Sequence, residues 1–358
     1  MLSSVKATVR NLKDKSVFLD RSIDLLHHAK EFAYLGYGMA VNRAIGHTPK
    51  FAHEALVALF TRSGGRVNDT LSSVISLYNR PYDIENESGV LKPLGDETLA
   101  RIQAKLETDG YYVFEDRLPE AFCDKIAERI ADAGFIVRDD DLPYDTGKLH
   151  KYDRNAPFAH NYMLPPDDTT DIPEVQELVS DPALINVAQN YLKAKSIFTG
   201  ISLYWSAAVK DRPDDNSAQT FHWDMERIRW IRFFICLTDV DEDSGPHCFI
   251  KGTHRTGALP KEVYSRGYVR HNDEDVIGLF GKDSYREFTG KKGTIVAEDS
   301  RGLHKGKVLK KGERLMLAFE LSNSTFGADK RHTIRGMHSP RFAEFSKRYP
   351  GLYANFDF

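Results

Sequence analysis

The sequence predicts an α+β protein in which amino-terminal helices precede an antiparallel β scaffold. Three observations lead there. Apolar residues recur at three- and four-residue intervals through LDRSIDLLHHAKEFAYLGYGMAVNRAI and KFAHEALVALFTRS, the period of a helix with one buried face. From Ile197 onward, IFTGISLYWSAAV, QTFHWD and RWIRFFICLTDV follow one another without long intervening helices, which favours antiparallel sheets over a doubly wound fold. Within those runs His222 and Asp224 stand one residue apart, and a later apolar run carries His304 with Arg314 ten residues beyond it.

In chain order, residues 1–80 read as helical, with Ser63-Gly64-Gly65 as a stop, and 80–95 reads as a linker rich in prolines, glycines and acids. Residues 1–95 are therefore expected to form an amino-terminal helical extension and linker, serving as a cap or a dimerisation element. His27, His28, His47 and His53 lie in or beside these helices and are assigned no chemistry. A helix through ETLARIQAKLET ends at Asp109-Gly110, the strand YYVFE follows, and FCDKIAERIADAG closes on Gly134. Residues 139–173 read as a long loop with short strands, a length that tends to be functional. VQELVSDPALINVAQNYL is helical and broken at Asp181-Pro182. In the strand RWIRFFICLTDV, Arg232, Phe234 and Cys236 share one face while Ile231, Phe233 and Ile235 share the other. Residues 255–292 read as a polar insertion, placed to be a lid or an ordinary solvated loop.

Composition narrows the class. The 358 residues suffice for one large or two modest domains with a real core. A net charge of −3 points to no nucleic-acid partner. Three cysteines, Cys123, Cys236 and Cys248, are widely spaced, which argues against a disulfide framework and for a reducing, cytoplasmic compartment. The run FAYLGYGMAV has about half the length of a membrane span, and charges at Lys6, Arg10 and Lys13 break any secretory pattern. No membrane association is expected, and oligomeric state is left open.

Chemistry concentrates in the H-x-D. In a strand, residues i and i+2 face the same way, so His222 and Asp224 project together while Trp223 points oppositely. Two imidazoles and a carboxylate on a β scaffold are the ligand set of a non-haem Fe(II) site with open positions. A bare H-x-D is common by chance, so the surrounding order matters. HWD, FFICLTDVDEDSGPHCFIKGTH, TIVAEDSRGLH and GERLMLAFEL occur in that order, preceded by LETDGYYVFEDRLPEAFCDKI. This order resembles the phytanoyl-CoA dioxygenase family of Fe(II)/2-oxoglutarate oxygenases over roughly residues 96–325, with 1–95 outside it.

The resemblance implies a double-stranded β-helix, a jelly-roll or cupin-like barrel, across 96–358. It implies Fe(II) held by His222, Asp224 and His304, with 2-oxoglutarate and O2 as cosubstrates. Arg314 sits in a strand too apolar for an unpaired charge, and a dicarboxylate would pair with it through two parallel hydrogen bonds. The family's usual hydroxyl is missing at Gly306 and Met316, so Tyr204 is taken as the second donor. Phe234 matches an aromatic lining the cosubstrate pocket, and Lys151 falls where the family places a lysine on 2-oxoglutarate. Arg232 would face the barrel mouth, taking a substrate anion or a salt bridge to Glu226 or Asp239. His247 and His254 are competing histidines, and His254 is expected to be structural.

The implied reaction is hydroxylation of an unactivated C–H bond of a small organic substrate, releasing succinate and CO2. Asp224 favours this over halogenation, without excluding desaturation, epimerisation or cyclisation. Two alternatives stand: a non-catalytic jelly-roll binding protein, and a cupin-type isomerase or hydrolase with another metal, which leaves Arg314 unexplained.

Overall fold

The structure is a computed structural model that describes residues 28–142, 147–328 and 331–358. The helical reading before residue 28, including His27, and positions 143–146 of the long loop lie outside the described residues.

Helices Ala29–Ile45, Lys50–Ser63 and Arg66–Tyr78 open the described chain. The double glycine divides the last two, with φ of +60° at Gly64 and +88° at Gly65. Leu35, Ala52, Leu56, Leu59 and Ile75 from these helices are buried together with Ala194, Ile228 and Phe326. The extension is therefore packed onto the rest of the chain by an apolar seam. Residues 79–95 carry no helix or strand, yet they are tied down: the Leu91 N–H donates to Asp181 Oδ2 at 2.9 Å. Asp181 also caps helix Pro182–Leu192, accepting from the Ala183 and Leu184 N–H groups, which is why the helical run breaks at this Asp-Pro.

Ten strands build the scaffold: β1 (Tyr111–Val113), β2 (Ile136–Arg138), β3 (Asn161–Met163), β4 (Ile197–Ala207), β5 (Trp230–Cys236), β6 (His247–Ile250), β7 (Tyr285–Phe288), β8 (Ile295–Glu298), β9 (His304–Gly306) and β10 (Glu313–Ser322). A seven-stranded sheet has the order β1-β8-β5-β10-β4-β3-β2, and a three-stranded sheet the order β7-β6-β9. Every pairing in both is antiparallel. The class is thus mixed helix with antiparallel sheet, as expected. The period-2 alternation sets the layers. Ile231, Phe233, Ile235, Leu315, Leu317 and Phe319 turn toward the helices in the main core. Phe234, Cys236, Val296, Met316 and Ala318 turn the other way, against Phe249 and Phe288 of the smaller sheet. The functional groups lie on this second face.

Two elements differ from expectation. QTFHWD is not a full strand: Phe221 and His222 make single bridges to His271 and His304. The insertion at 255–292 is not bare loop, since it holds helices Lys261–Tyr264 and Asp273–Phe280 and strand β7. Its apolar residues Leu259, Val263 and Val276 pack with Phe221 and Trp223, so interleaved charge hid a buried face.

Gly110 shows how tightly the D-G-Y turn is set. Its φ is +89°, and a Cβ there would stand 2.6 Å from His254 Nδ1 and 2.8 Å from the Phe249 ring. Gly110→Ala is expected to destabilise the fold by about 2–4 kcal/mol, from positive φ and overpacking together. Urea denaturation checks this, through a lowered midpoint at unchanged slope. Among the described residues no helix is long and apolar enough to cross a membrane.

Candidate metal centre

His222 and Asp224 come from the segment before β5, and His304 opens β9. Backbone pairing draws them together: the His222 N–H donates to His304 O at 3.0 Å, and the Asp224 N–H to Ser300 O at 2.9 Å. The ligand atoms of the three side chains all lie within 4.8 Å of one another, and all three residues are buried. His222 Nε2 is 3.8 Å from Asp224 Oδ1, and His304 Nε2 is 3.7 Å from Asp224 Oδ2. Each imidazole places Nδ1 on a backbone carbonyl, Thr220 O for His222 and Gly302 O for His304, both at 2.9 Å. Nδ1 therefore carries the proton, and each Nε2 lone pair aims at the shared centre.

The electrostatics suit a divalent cation. Burial, then the neighbouring His304, holds His222 well below the ordinary imidazole range, so it is neutral and ligand-competent. Burial alone would raise the Asp224 carboxyl, but His304 and Arg232 outweigh it and hold it below the usual carboxylate value. Three convergent donors, a carboxylate and two imidazoles, fit a ferrous ion and leave coordination positions open.

Arg232 is where the structure departs from one expectation. Its guanidinium spans Asp224 Oδ2 at 3.3 Å and Glu320 Oε2 at 2.8 Å, rather than pairing with Glu226 or Asp239. Both arms are engaged by carboxylates, which aims the Asp224 carboxylate, while the side chain still lines the cavity. Lys151 departs further. Its ammonium is three-quarters exposed and faces Asp132 at 3.5 Å, and it is not among the residues lining the cavity. The path of the long loop turns it outward.

Arg314 is buried on β10. Nη1 donates to Gly245 O, Nη2 lies 3.4 Å from Ser206 Oγ, and Nε has no partner. Among the described residues no carboxylate pairs with it, so this buried cation is poised for an anion from outside the chain. Ser206 faces it directly across the β4–β10 register. That makes Ser206 the hydroxyl beside the guanidinium, two residues from Tyr204 on the same face of β4. Tyr204 opposes Met316 and lines the cavity, without a recorded bond to Arg314. Asn161 opposes Ser206 on β3 and its buried Oδ1 is unpartnered.

These groups surround one cavity of about 530 Å³, lined by His222, His304, Phe234, Tyr204, Arg232 and Arg314 among others, within the roughly 300–1,000 Å³ typical of small-molecule sites. Phe234 stacks on His247 at 4.2 Å. His247 Nε2 is engaged by Glu298 Oε2 at 2.8 Å, which removes it as a competing ligand. Burial pushes Glu298 up to about 8 and His247 down to about 3, so they form a neutral pair. His254 bonds Glu107 O at 3.2 Å, a structural contact. Tyr268, from the insertion, sits edge-on to His222 at 6.0 Å.

The amino-terminal helices grip both ligand-bearing segments. Arg301, three residues before His304, meets Asp69 at 2.8 Å and Asp299 at 2.7 Å. On the other side, His53 Nε2 is 3.1 Å from Glu226 O, and Asn68 Nδ2 donates to Arg227 O at 2.9 Å. Asp69→Ala is expected to loosen the 299–304 turn and weaken divalent-metal binding about tenfold. Titration with Co(II) tests it, and parental affinity would refute it.

The three side chains have the composition and spacing of a site that could hold a metal ion. Residues 106–307 match the profile described as Phytanoyl-CoA dioxygenase (PhyH). The match spans more than half of the chain, which belongs to that family; iron and 2-oxoglutarate are the family's metal and cosubstrate. No curated protein matches the chain. Solved structures similar to it include the epimerase SnoN in complex with Fe3+, alpha ketoglutarate and nogalamycin RO, at 14% identity, covering 64% of this chain and 84% of that one with a TM-score of 0.44. EctD from S. alaskensis with 2-oxoglutarate and 5-hydroxyectoine matches at 19%, covering 68% and 82%, with 0.44. HygX from Streptomyces hygroscopicus with nickel, 2-oxoglutarate and hygromycin B matches at 13%, covering 64% and 87%, with 0.42. Likeness at this level leaves the reaction of this chain open.

Proposed function

We propose that the chain is an Fe(II)- and 2-oxoglutarate-dependent dioxygenase that hydroxylates an unactivated C–H bond of a small organic molecule, releasing succinate and CO2. The observation that carries this reading is a three-donor centre whose two imidazoles line one cavity with a buried guanidinium that, among the described residues, has no carboxylate partner. A cupin-type isomerase or hydrolase would have no use for that cation. In this reading the two facing sheets form a jelly-roll barrel spanning residues 96–358, with 1–95 as a helical extension. A cytoplasmic location belongs to the same proposal.

His222, Asp224 and His304 would hold the metal. Arg314 and Ser206 would hold the far carboxylate of 2-oxoglutarate, and Phe234 and Tyr204 would wall the space between. A ferrous ion held there together with 2-oxoglutarate would supply the oxidising power for O2-dependent chemistry. The chain's share is placement. Arg232 and Ser300 fix the Asp224 carboxylate, the Thr220 and Gly302 carbonyls fix the imidazoles, and the apolar face of Phe234, Met316 and Ala318 limits water.

Anaerobic addition of Fe(II) and 2-oxoglutarate to the purified protein should raise a broad visible charge-transfer absorption. Admission of O2 should then release succinate. Neither absorption nor succinate would sink the proposal.

A further inference from the structure

Glu226 lines the same cavity as the metal centre, and the chemistry above leaves it unused. Its Oε2 accepts only the N–H of adjacent Met225, at 3.0 Å. Among the described residues no Lys, Arg or His pairs with it. Of the four arginines on the cavity wall, the two that act on Glu226, Arg232 and Arg227, are already committed. Arg232 bridges Asp224 and Glu320. Arg227 holds Glu320 at 3.0 Å and donates to Gly327 O. Thr199 completes Glu320 at 2.6 Å. Asp224, Arg232, Glu320 and Arg227 thus form an alternating chain in which each charge has an opposite neighbour, and Glu226 stands outside it. Arg232 cannot turn to Glu226 without leaving Asp224 unpaired, and Arg227 is held by the Gly327 carbonyl as well as by Glu320. The backbone is pinned as well, because His53 bonds the Glu226 carbonyl and Asn68 bonds that of Arg227. The carboxylate is therefore presented to the cavity from a fixed base.

We propose that Glu226 receives a protonated amine of the primary substrate, so that the oxidised molecule is cationic at that end. This rests on the oxygenase reading and deepens it. A buried carboxyl with no ion-pair partner among the described residues is best met by an ammonium, which brings both an opposite charge and donors. A neutral hydroxyl would supply a hydrogen bond alone. Glu226 lines the same cavity as His222 and His304, so an amine held there keeps the rest of the molecule in the space beside the metal triad.

The test presents the full-length protein, loaded with Fe(II) and 2-oxoglutarate, with a metabolite library sorted into cationic amines, neutral molecules and anions. Compounds that accelerate succinate release should fall in the amine set, and they should also raise the melting temperature of the metal-free protein. For the best amine, Glu226→Gln should lower kcat/KM by about tenfold to a hundredfold, the effect of losing a charged hydrogen-bonded partner. The same variant should shift kcat/KM for the N-acetyl counterpart by less than about threefold. The charge-transfer absorption, recorded for each sample, shows whether the variant has kept its fold and centre. Hits among neutral or anionic compounds, no hits among amines, or an unchanged amine-to-acetyl ratio in Glu226→Gln would overturn the inference. Absence of the absorption in the parent protein would instead bring down the oxygenase reading beneath it.

Discussion

Asp224→Ala is expected to reduce succinate release to background and to weaken ferrous binding by more than about a hundredfold. Outer partners of metal ligands typically carry about 10–100-fold in affinity, and a direct ligand exceeds them. Asp224 is also the only anion of the three donors, so its loss removes the charge that offsets the metal. It serves a second partner too: Arg232, held between Asp224 and Glu320, would lose one of its two carboxylates. The vacated volume then lies between a guanidinium and two imidazoles, a poor place for a cation. Calorimetric titration with Fe(II) or Co(II) measures the affinity, and circular dichroism establishes that the variant is folded. Arg232→Ala makes the useful contrast. It leaves all three donors in place, disturbs how the carboxylate is aimed and takes one of its two arginines from Glu320, so its loss of metal affinity should be smaller. An Asp224→Ala protein that binds one metal with parental affinity would remove His222, Asp224 and His304 from the centre.

Local period makes part of this site legible, and the order of motifs that resembles the family, which carries His304 and Arg314, makes another part so. His222 and Asp224 could be paired because two residues apart in extended chain means one face, and β5 divides as its alternation requires, with Phe234 toward the cavity and Phe233 toward the helices. What could not be read depends on how distant strands slide against one another. Ser206 faces Arg314 because of the β4–β10 register; a shift of two residues would have put Tyr204 there. Arg232 finds Glu320 across 88 residues of chain, and no local signal distinguishes Glu320 from the nearer Glu226 or Asp239. Lys151 was misplaced because nothing local fixes the path of a long irregular segment. The helical period also located the amino-terminal helices without showing that Asp69, His53 and Asn68 reach the segments that carry the ligands.

Arg314→Ala should raise the KM for 2-oxoglutarate by at least about a hundredfold while leaving metal affinity within about threefold of the parent. Removing one partner of a buried charge pair costs about 3–5 kcal/mol, which at 1.4 kcal/mol per decade is two to three and a half orders of magnitude. Ser206→Ala, which removes a neutral donor beside the same carboxylate, should raise KM by about tenfold. Arg314→Lys should fall between them, since it keeps the charge and loses the planar fork. Lys151→Ala, out in solvent, should leave KM unchanged. Stability offers a second and opposite sign. Without cosubstrate the Arg314 guanidinium is buried with its Nε unpartnered and, among the described residues, no carboxylate beside it, so alanine relieves a desolvated charge. The metal-free Arg314→Ala protein should therefore melt at or above the parental temperature. It should also lose the additional stabilisation that 2-oxoglutarate confers on the parent by binding the folded state alone. A variant that melts lower and still binds 2-oxoglutarate with parental affinity would make Arg314 a structural strut, and the anion would have to be sought elsewhere on the cavity wall, with Arg138 beside Asn161 the next guanidinium along the row.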